Sequence, residues 1–338
     1  EDYDSQSGTS NTWLKHCKSS SIQHIEEFRL NANSLILEVA SNDGSLLNFF
    51  QKKKIKCIGV DPSNKLCEIS RKKGINVICD FLNLNVSKNI KQKFGIPKLI
   101  IANNVLAHVP NITDFIKSIK SLMDDETVLI IEFPHLLNLI KLSQFDTIYH
   151  EHYSYFSLNS VNKFFFKNGL NLFKFQKIST HGGSLRIFLT KDFKKQSKDI
   201  AKEINVEKKM GLNKEETLEN FKNNVKKIKN DFINFLKLNN KKKILGFGAA
   251  AKATTLLNYC DLDDRHIPIV CDNNSNKIGK YIPGCNALIT NPKILEKENF
   301  DFIIIFPWNI KNEIIKNIRK IYKKKIHFVT VIPELKIE

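Results

Sequence analysis

No apolar run in the 338-residue chain approaches the roughly eighteen residues that a membrane span needs. The first residues carry no basic, apolar leader, so no secretory signal is expected and a cytoplasmic location is. Because the chain opens on Glu1, its start reads as a truncation. Paired cysteines are missing too. Cys17, Cys57, Cys67, Cys79, Cys260, Cys271 and Cys285 form no C-x-x-C and sit in or beside apolar runs. That pattern predicts buried, reduced thiols and neither a zinc site nor a disulfide framework. Arginine is scarce: only Arg29, Arg71, Arg186, Arg265 and Arg319 stand among 53 basic residues. The net charge of +18 is therefore mostly lysine, accompanied by abundant Asn, Ile and Phe, as an A/T-rich genome would encode. Phosphate and base recognition favours the planar arginine fork, so the balance argues against a dedicated nucleic-acid role.

What is present is ordinary globular material: 42% hydrophobic and 26% charged residues exclude a disordered chain, and the length suits two α/β domains. Short apolar runs at 35–40, 55–60, 75–79, 98–102 and 127–132 alternate with helix-length segments, which predicts βαβ units and a parallel sheet. Two alternating runs at 170–177 and 184–190 flank His181-Gly-Gly183 and predict an antiparallel hairpin at the sheet edge. Residues 193–242 turn Lys/Glu/Asn-rich, with Val225, Ile228, Phe232, Phe235 and Leu236 at helical spacing. They read as a helical connector. A second α/β unit follows, with strands at 244–248, 267–271, 300–306 and 326–332. The expected domains are thus 1–192, 193–242 and 243–338.

Chemistry gathers at the predicted strand ends. Glu38 and the Asn42-Asp43-Gly44 turn follow the first strand, where glycine admits a ligand to the backbone and a helix N-terminus offers free N–H groups. Asp61 ends the second strand, 17 residues beyond Gly44, where an acid can accept both ribose hydroxyls. Asp80-Phe81 after the third strand pairs an acceptor with a ring, and Asn103 ends the fourth. No G-x-G-x-x-G accompanies them, so a nucleoside cofactor fits better than a dinucleotide. In the second unit Gly246-Phe-Gly248 opens a helix carrying Lys252, an arrangement able to hold an anion. Asp272, at the end of the next strand, mimics a ribose acceptor and keeps an NAD(P)-dependent oxidoreductase open as an alternative; a basic RNA-binding methyltransferase is the other. Tyr149-His-Glu-His152 gathers groups suited to proton transfer, since histidine titrates near working pH and a tyrosine can donate to an oxyanion.

The motifs E-x-A-S-N-D-G, G-V-D-P-S, N-N-V-L-A-H-V-P, F-D-T-I-Y-H-E-H-Y-S-Y-F-S, H-G-G-S-L-R and G-F-G-A-A-A-K-A-T together resemble the S-adenosylmethionine-dependent sugar C-methyltransferases, from Tyr3 to about Pro333. The resemblance implies a class I methyltransferase (Rossmann-like) sheet with an antiparallel edge hairpin, plus a second Rossmann-like α/β domain. It implies S-adenosyl-L-methionine as cofactor and a nucleotide-linked deoxy-4-ketosugar as substrate. By the same likeness His152 is the general base, with Tyr149 and Glu151 beside it, and Tyr3 and His108 face the sugar. Gly246, Gly248, Lys252 and Asn309 would help hold the nucleotide diphosphate. The family's N-terminal zinc module has no counterpart here, so no metal is expected.

Overall fold

The computed structural model describes Gly8 and residues 10–338. Among them one compact unit takes in the chain up to Leu136 with Glu151–Lys209, and a second takes in Leu137–His150 with Met210–Glu338.

The first unit runs α1 (Asn11–Glu27), β1 (Leu35–Val39), α2 (Ser45–Gln51), β2 (Lys56–Asp61), α3 (Asn64–Lys72), β3 (Asn76–Cys79), α4 (Leu84–Phe94), β4 (Leu99–Asn103), α5 (Ile112–Leu122) and β5 (Val128–Pro134). After α6 (Leu136–Lys141) come α7 (Leu158–Lys167), β6 (Asn171–Ile178), β7 (Ser184–Thr190) and α8 (Lys198–Lys209). The strands form one sheet in the order β3-β2-β1-β4-β5-β7-β6. The first five are parallel, while β7 runs antiparallel to both neighbours. Every residue of β1 is buried because helices cover both faces, which is why it is apolar apart from Glu38. One face packs Leu37, Ile100, Ile131 and Ile187; the other packs Ile36, Leu47, Ile101 and Phe188 beneath α1.

Helix starts follow local chemistry. Ser63 caps α3, Asn83 caps α4 and Asn111 caps α5, each accepting backbone N–H groups of the first turn. A Ser157–Ser160 capping box opens α7. That helix start is also held from a distance. The Glu207 carboxylate on α8 accepts the N–H groups of Leu158 (2.5 Å) and Asn159 (2.9 Å) and the His135 ring nitrogen (2.7 Å), all in a buried setting. Burial alone would raise the Glu207 pKa, but the His135 bond and the two N–H donors outweigh it and hold the carboxyl low. Its contribution is therefore complete above the ordinary value of 4.5 and lost as pH falls through the lower folded value. Glu207→Gln turns an amide NH2 towards these donors and should cost about 2 kcal/mol at neutral pH, read by urea denaturation. An unchanged midpoint would remove the carboxylate from the stability of this unit.

The second unit holds α9 (Glu215–Leu238), β8 (Ile244–Phe247), α10 (Ala251–Tyr259), β9 (Ile269–Cys271), β10 (Leu288–Thr290), α11 (Ile294–Lys297), β11 (Phe302–Ile305), α12 (Lys311–Ile321), β12 (His327–Thr330) and β13 (Lys336–Ile337). Its sheet runs β10-β9-β8-β11-β12-β13, parallel except for β13. An α/β sheet with an edge hairpin and a second α/β unit is thus the architecture. A separate connector over 193–242 does not form. Helix α8 buries Ile200, Glu203 and Glu207 in the first unit, whereas α9 gives Val225, Ile228, Phe232, Phe235 and Leu236 to the second core. Phe145, from the first half of the sequence, lies in that second core as well, packing its ring 5.0 Å from Tyr259.

Among the described residues, no helix is long and apolar enough to cross a membrane, all seven cysteines are free thiols, and no group of three or more His, Cys, Asp or Glu stands where it could hold a metal ion.

Candidate active site

The C-terminal ends of β1, β2, β3 and β4 carry the first constellation. After β1 the backbone turns through left-handed positions at Ala40 (φ 57°), Asn42 (φ 52°) and Gly44 (φ 73°), the kind of local strain that concentrates at functional sites. Gly44 is indispensable there, because a Cβ would stand 2.5 Å from both Ile75 Cδ1 and Ser70 Oγ. The turn is held by Asp61, whose Oδ2 accepts Asn42 N–H at 2.8 Å and whose Oδ1 accepts Ser63 N–H at 3.0 Å. A carboxylate offers about four acceptor positions, so two remain for ribose hydroxyls. Burial raises the Asp61 pKa, and the two N–H bonds pull against it.

Asp43 is engaged within the turn. Its carboxylate accepts the Ser45 hydroxyl at 2.6 Å and pairs with Lys73 at 3.1 Å, so it builds the turn and the entry to α2. Asp80 is exposed and accepts Phe81 N–H at 2.7 Å, while the Phe81 ring is 73% exposed, an uncovered platform beside Asp61 in the chain path. Glu38 Oε2 and Asn103 Oδ1 are buried without a hydrogen-bond partner, and both end strands next to the Asn42 turn and the Asn104 turn. Buried acceptors without donors are rare in folded proteins.

Burial, then the nearby charges of Asp43, Asp61 and Glu132, push the Glu38 pKa well above its ordinary 4.5. A carboxyl that binds its proton more tightly in the folded state loses stability as pH rises from 4.5 towards the folded value. Glu38→Gln should therefore stabilise the chain by about 1 kcal/mol at neutral pH and flatten that decline, measured by thermal unfolding across pH. A variant that unfolds earlier than the parent at every pH would contradict this assignment.

The second constellation lies at the end of β4. A single helical turn, Leu106–His108, presents the His108 ring, which hydrogen-bonds the Glu151 backbone and stands 4.7 Å from the His152 ring at 72°. Tyr153 N–H donates to Ala107 carbonyl at 2.8 Å and stitches the two segments together. Tyr155 lies 6.0 Å from His152, edge-on. Burial lowers the His108 pKa, with the Glu151 backbone bond opposing, so His108 stays neutral over a wider range than a free histidine. Of the predicted catalytic set, His108, Glu151 and His152 come together in this way. Tyr149 is half-buried in the stretch belonging to the second unit, and Tyr3 lies outside the described residues.

In the second unit the predicted glycines have packing reasons. A Cβ on Gly246 would stand 2.8 Å from Phe306 and Val270 atoms, and one on Gly248 (φ 94°) would stand 2.3 Å from Pro307. The turn's N–H groups are engaged as well: Gly248 donates to Cys271 carbonyl, Ala249 to Asp272 Oδ2 and Ala250 to Gly248 carbonyl. The expected backbone cradle for phosphate is thus closed at those three groups. Lys252 and Asn309 do meet, Nζ to Oδ1 at 2.9 Å, with the ammonium 4.1 Å over the Trp308 ring. Trp308 Nε1 donates to Asp146 Oδ2 at 2.7 Å, and Asp146 Oδ1 is buried without a partner. Burial pushes the Asp146 pKa up to about 6, against the pull of Lys252, and lowers that of Lys252. The sequence reading missed Asp146 and Trp308. Their signal was an acid and an indole inside motifs already noticed, F-D-T and P-W-N.

Also missed was a row across the first sheet. Asn103, Glu132, Arg186 and Gln176 stand abreast in register on β4, β5, β7 and β6. Glu132 accepts Arg186 Nε (2.5 Å) and His16 Nε2 (3.0 Å) from α1. Burial would raise the Glu132 pKa, but the His16 bond and the Arg186 charge hold it below its ordinary value. The only hint in sequence was a lone charge in each of two apolar strands.

The family model "Methyltransferase domain" matches residues 15–174, and the model "C-methyltransferase C-terminal domain" matches 179–333. The curated protein "C-methyltransferase NovU" from Streptomyces niveus is 27% identical over 317 residues, covering 93% of this chain and 76% of that one. The comparisons support an S-adenosylmethionine-dependent C-methyltransferase. Among solved structures, magnesium protoporphyrin IX methyltransferase from Synechocystis PCC 6803 with bound SAM is 17% identical, covers 53% of this chain and 79% of that one, and has a TM-score of 0.41. A SAM-dependent methyltransferase from Anabaena variabilis is 13% identical, with coverages of 51% and 84% and a TM-score of 0.42. The first sheet, with its order 3-2-1-4-5-7-6 and antiparallel β7, is the class I methyltransferase sheet; the first match covers β1 to α7, and the C-terminal match takes in β7 and α8 of the first unit as well as most of the second.

Proposed function

We propose that this C-methyltransferase acts on a nucleotide-linked deoxy-4-ketosugar and methylates the carbon beside the ketone. The observation that carries the reading is the His108–Glu151–His152 cluster, whose His108 follows β4 by one helical turn, β4 itself ending on the orphaned Asn103 acceptor. The residues present fit S-adenosylmethionine. Asp61 would accept the ribose hydroxyls, Phe81 would lie against the adenine with Asp80 as an acceptor, and the buried Glu38 and Asn103 oxygens would take the amino acid end. When bound, the cofactor supplies the methyl group that the enolate carbon takes in an SN2 displacement.

His152 removes the proton beside the ketone, since imidazole as a class is suited to general-base work at neutral pH. Neutral His108 keeps a second positive charge away from that base. Tyr149 donates to the enolate oxygen, and Tyr3 belongs to the same proposed set. Glu151 turns its carbonyl to His108 and so fixes the segment that carries the base. Lys252 and Asn309 would receive the nucleotide diphosphate, since an ammonium bound only to one amide oxygen keeps two donors.

Isothermal titration calorimetry with S-adenosylhomocysteine and then NAD⁺ tests the reading. S-adenosylhomocysteine should bind and NAD⁺ should not, after which a panel of 4-ketosugar nucleotides is assayed for methyl transfer. Binding of NAD⁺ alone would favour an oxidoreductase at the Asp272 turn, where the carboxylate accepts Ala249 and Asn274 N–H groups much as Asp61 accepts those of Asn42 and Ser63.

A further inference from the structure

Beside the Glu132–Arg186 pair, α1 and the β6–β7 hairpin enclose an open-mouthed cavity of about 440 Å³, lined among others by Ser19, Ser20, Gln23, Gln176, Lys177 and Arg186. No carboxylate lines it. The guanidinium fixes how its neighbours face. Arg186 Nη1 donates to the Oε1 atoms of Gln23 (3.3 Å) and Gln176 (3.2 Å), and Nη2 donates to Ser20 Oγ (2.5 Å). A guanidinium has donors only, so both amides must offer it their oxygens. Their NH2 groups are thereby turned away from Arg186, and the Ser20 hydroxyl hydrogen is likewise left for another acceptor. Two carboxylates bond lining residues: Glu132 binds Arg186 and His16, and Glu203 Oε2 pairs with Lys177 at 2.6 Å.

Two lining amides and a lining hydroxyl whose oxygens are taken by a buried arginine keep their own donors for an acceptor. Arg186 is 2% exposed and Glu132 is fully buried, so the arrangement is fixed by the sheet register and not by mobile surface lysines. We infer that this cavity is a binding site for an oxyanion, a phosphate or carboxylate group of a small molecule, on the face of the first unit under α1. The inference does not rest on the proposed substrate. It holds for a free anion and equally for a phosphate carried on a nucleotide ligand, and the test separates the two.

Inorganic phosphate is titrated into the full chain by calorimetry, alongside Gln176→Glu and Gln23→Glu. Each variant keeps the oxygen that Arg186 holds and replaces the outward NH2 by an anionic oxygen. Saturable phosphate binding should weaken at least about tenfold in both variants, while S-adenosylhomocysteine affinity stays unchanged and certifies the fold. A nucleoside diphosphate is then added at saturation. Loss of the phosphate isotherm assigns the site to a nucleotide's own phosphates; its persistence assigns it to a separate anion. Phosphate binding equal in parent and variants, or no saturation in the tens of millimolar, overturns the site. Should both glutamate variants fail to fold, Ser20→Ala removes one donor, and unaltered phosphate affinity there together with a second neutral variant, Gln176→Leu, overturns it equally.

Discussion

Replacing His152 by asparagine should lower turnover by about 10²–10⁴-fold while S-adenosylhomocysteine affinity stays within about twofold, because a general base contributes that much to rate and little to cofactor binding. Asparagine fills similar space and keeps a polar contact near His108, whose ring stands 4.7 Å away, so the Tyr153–Ala107 stitch survives. A second readout isolates the proton step. With S-adenosylhomocysteine bound in place of the methyl donor, the parent should exchange the proton beside the ketone of a 4-ketosugar nucleotide for deuterium from solvent. The variant should not. Exchange at the parent's rate with lost methyl transfer would move the base elsewhere and leave His152 a positioning group. Full methyl transfer in His152→Asn would remove it from the mechanism altogether. His108 is the less suited of the two rings to carry a charge, because burial lowers its pKa against the opposing Glu151 backbone bond.

Much of this arrangement could be read from local pattern, and the unread part has a common physical cause. The five parallel strands are legible because the central ones are buried on both faces and so become short apolar runs, as Ile36, Leu37 and Val39 do on β1. The hairpin is legible because β6 and β7 flank Gly182 and Gly183, both left-handed. Asp61 and Asn103 are legible because a strand end before a helix is where ligands meet backbone. What escapes is whatever depends on register across long separations. Glu132 meets Arg186 only because β5 and β7 pair at that residue, 54 positions apart. Glu207 looks like one more charge on a solvated Lys/Glu helix, yet it is buried against His135, 72 positions earlier. The segment 137–150 reads as the continuation of the first domain, but Phe145 packs with Ala253, Leu256 and Leu257 in the second core. Hydrophobic period reveals that such a residue is buried, not which core receives it. Asp43 has partners that the sequence did not announce. Its neighbour Ser45 and the distant Lys73 take its oxygens first.

Asp61→Ala should weaken S-adenosylhomocysteine binding by about 100-fold, the loss of two hydroxyl-to-carboxylate bonds worth about 3 kcal/mol together. The argument needs care, since Asp61 also holds the fold of its own site. Its oxygens receive Asn42 N–H at 2.8 Å and Ser63 N–H at 3.0 Å, in a place only 5% exposed. Alanine leaves both donors unsatisfied, which costs about 1–3 kcal/mol of stability and lets the left-handed Asn42 relax. Asp61→Asn separates the two effects. Its amide oxygen still accepts one backbone donor and its shape is kept, but its NH2 can no longer accept a ribose hydroxyl. If the carboxylate is the ribose acceptor, the asparagine variant should keep most of the parent's unfolding midpoint and still lose about tenfold or more in affinity. If Asp61 serves only to pin the turn, affinity will instead follow stability: the asparagine variant will bind almost as the parent does, and only the alanine variant will be weak. Equal binding by all three proteins would place the ribose away from β2, leaving the orphaned Glu38 and Asn103 oxygens as the acceptors the cofactor must meet.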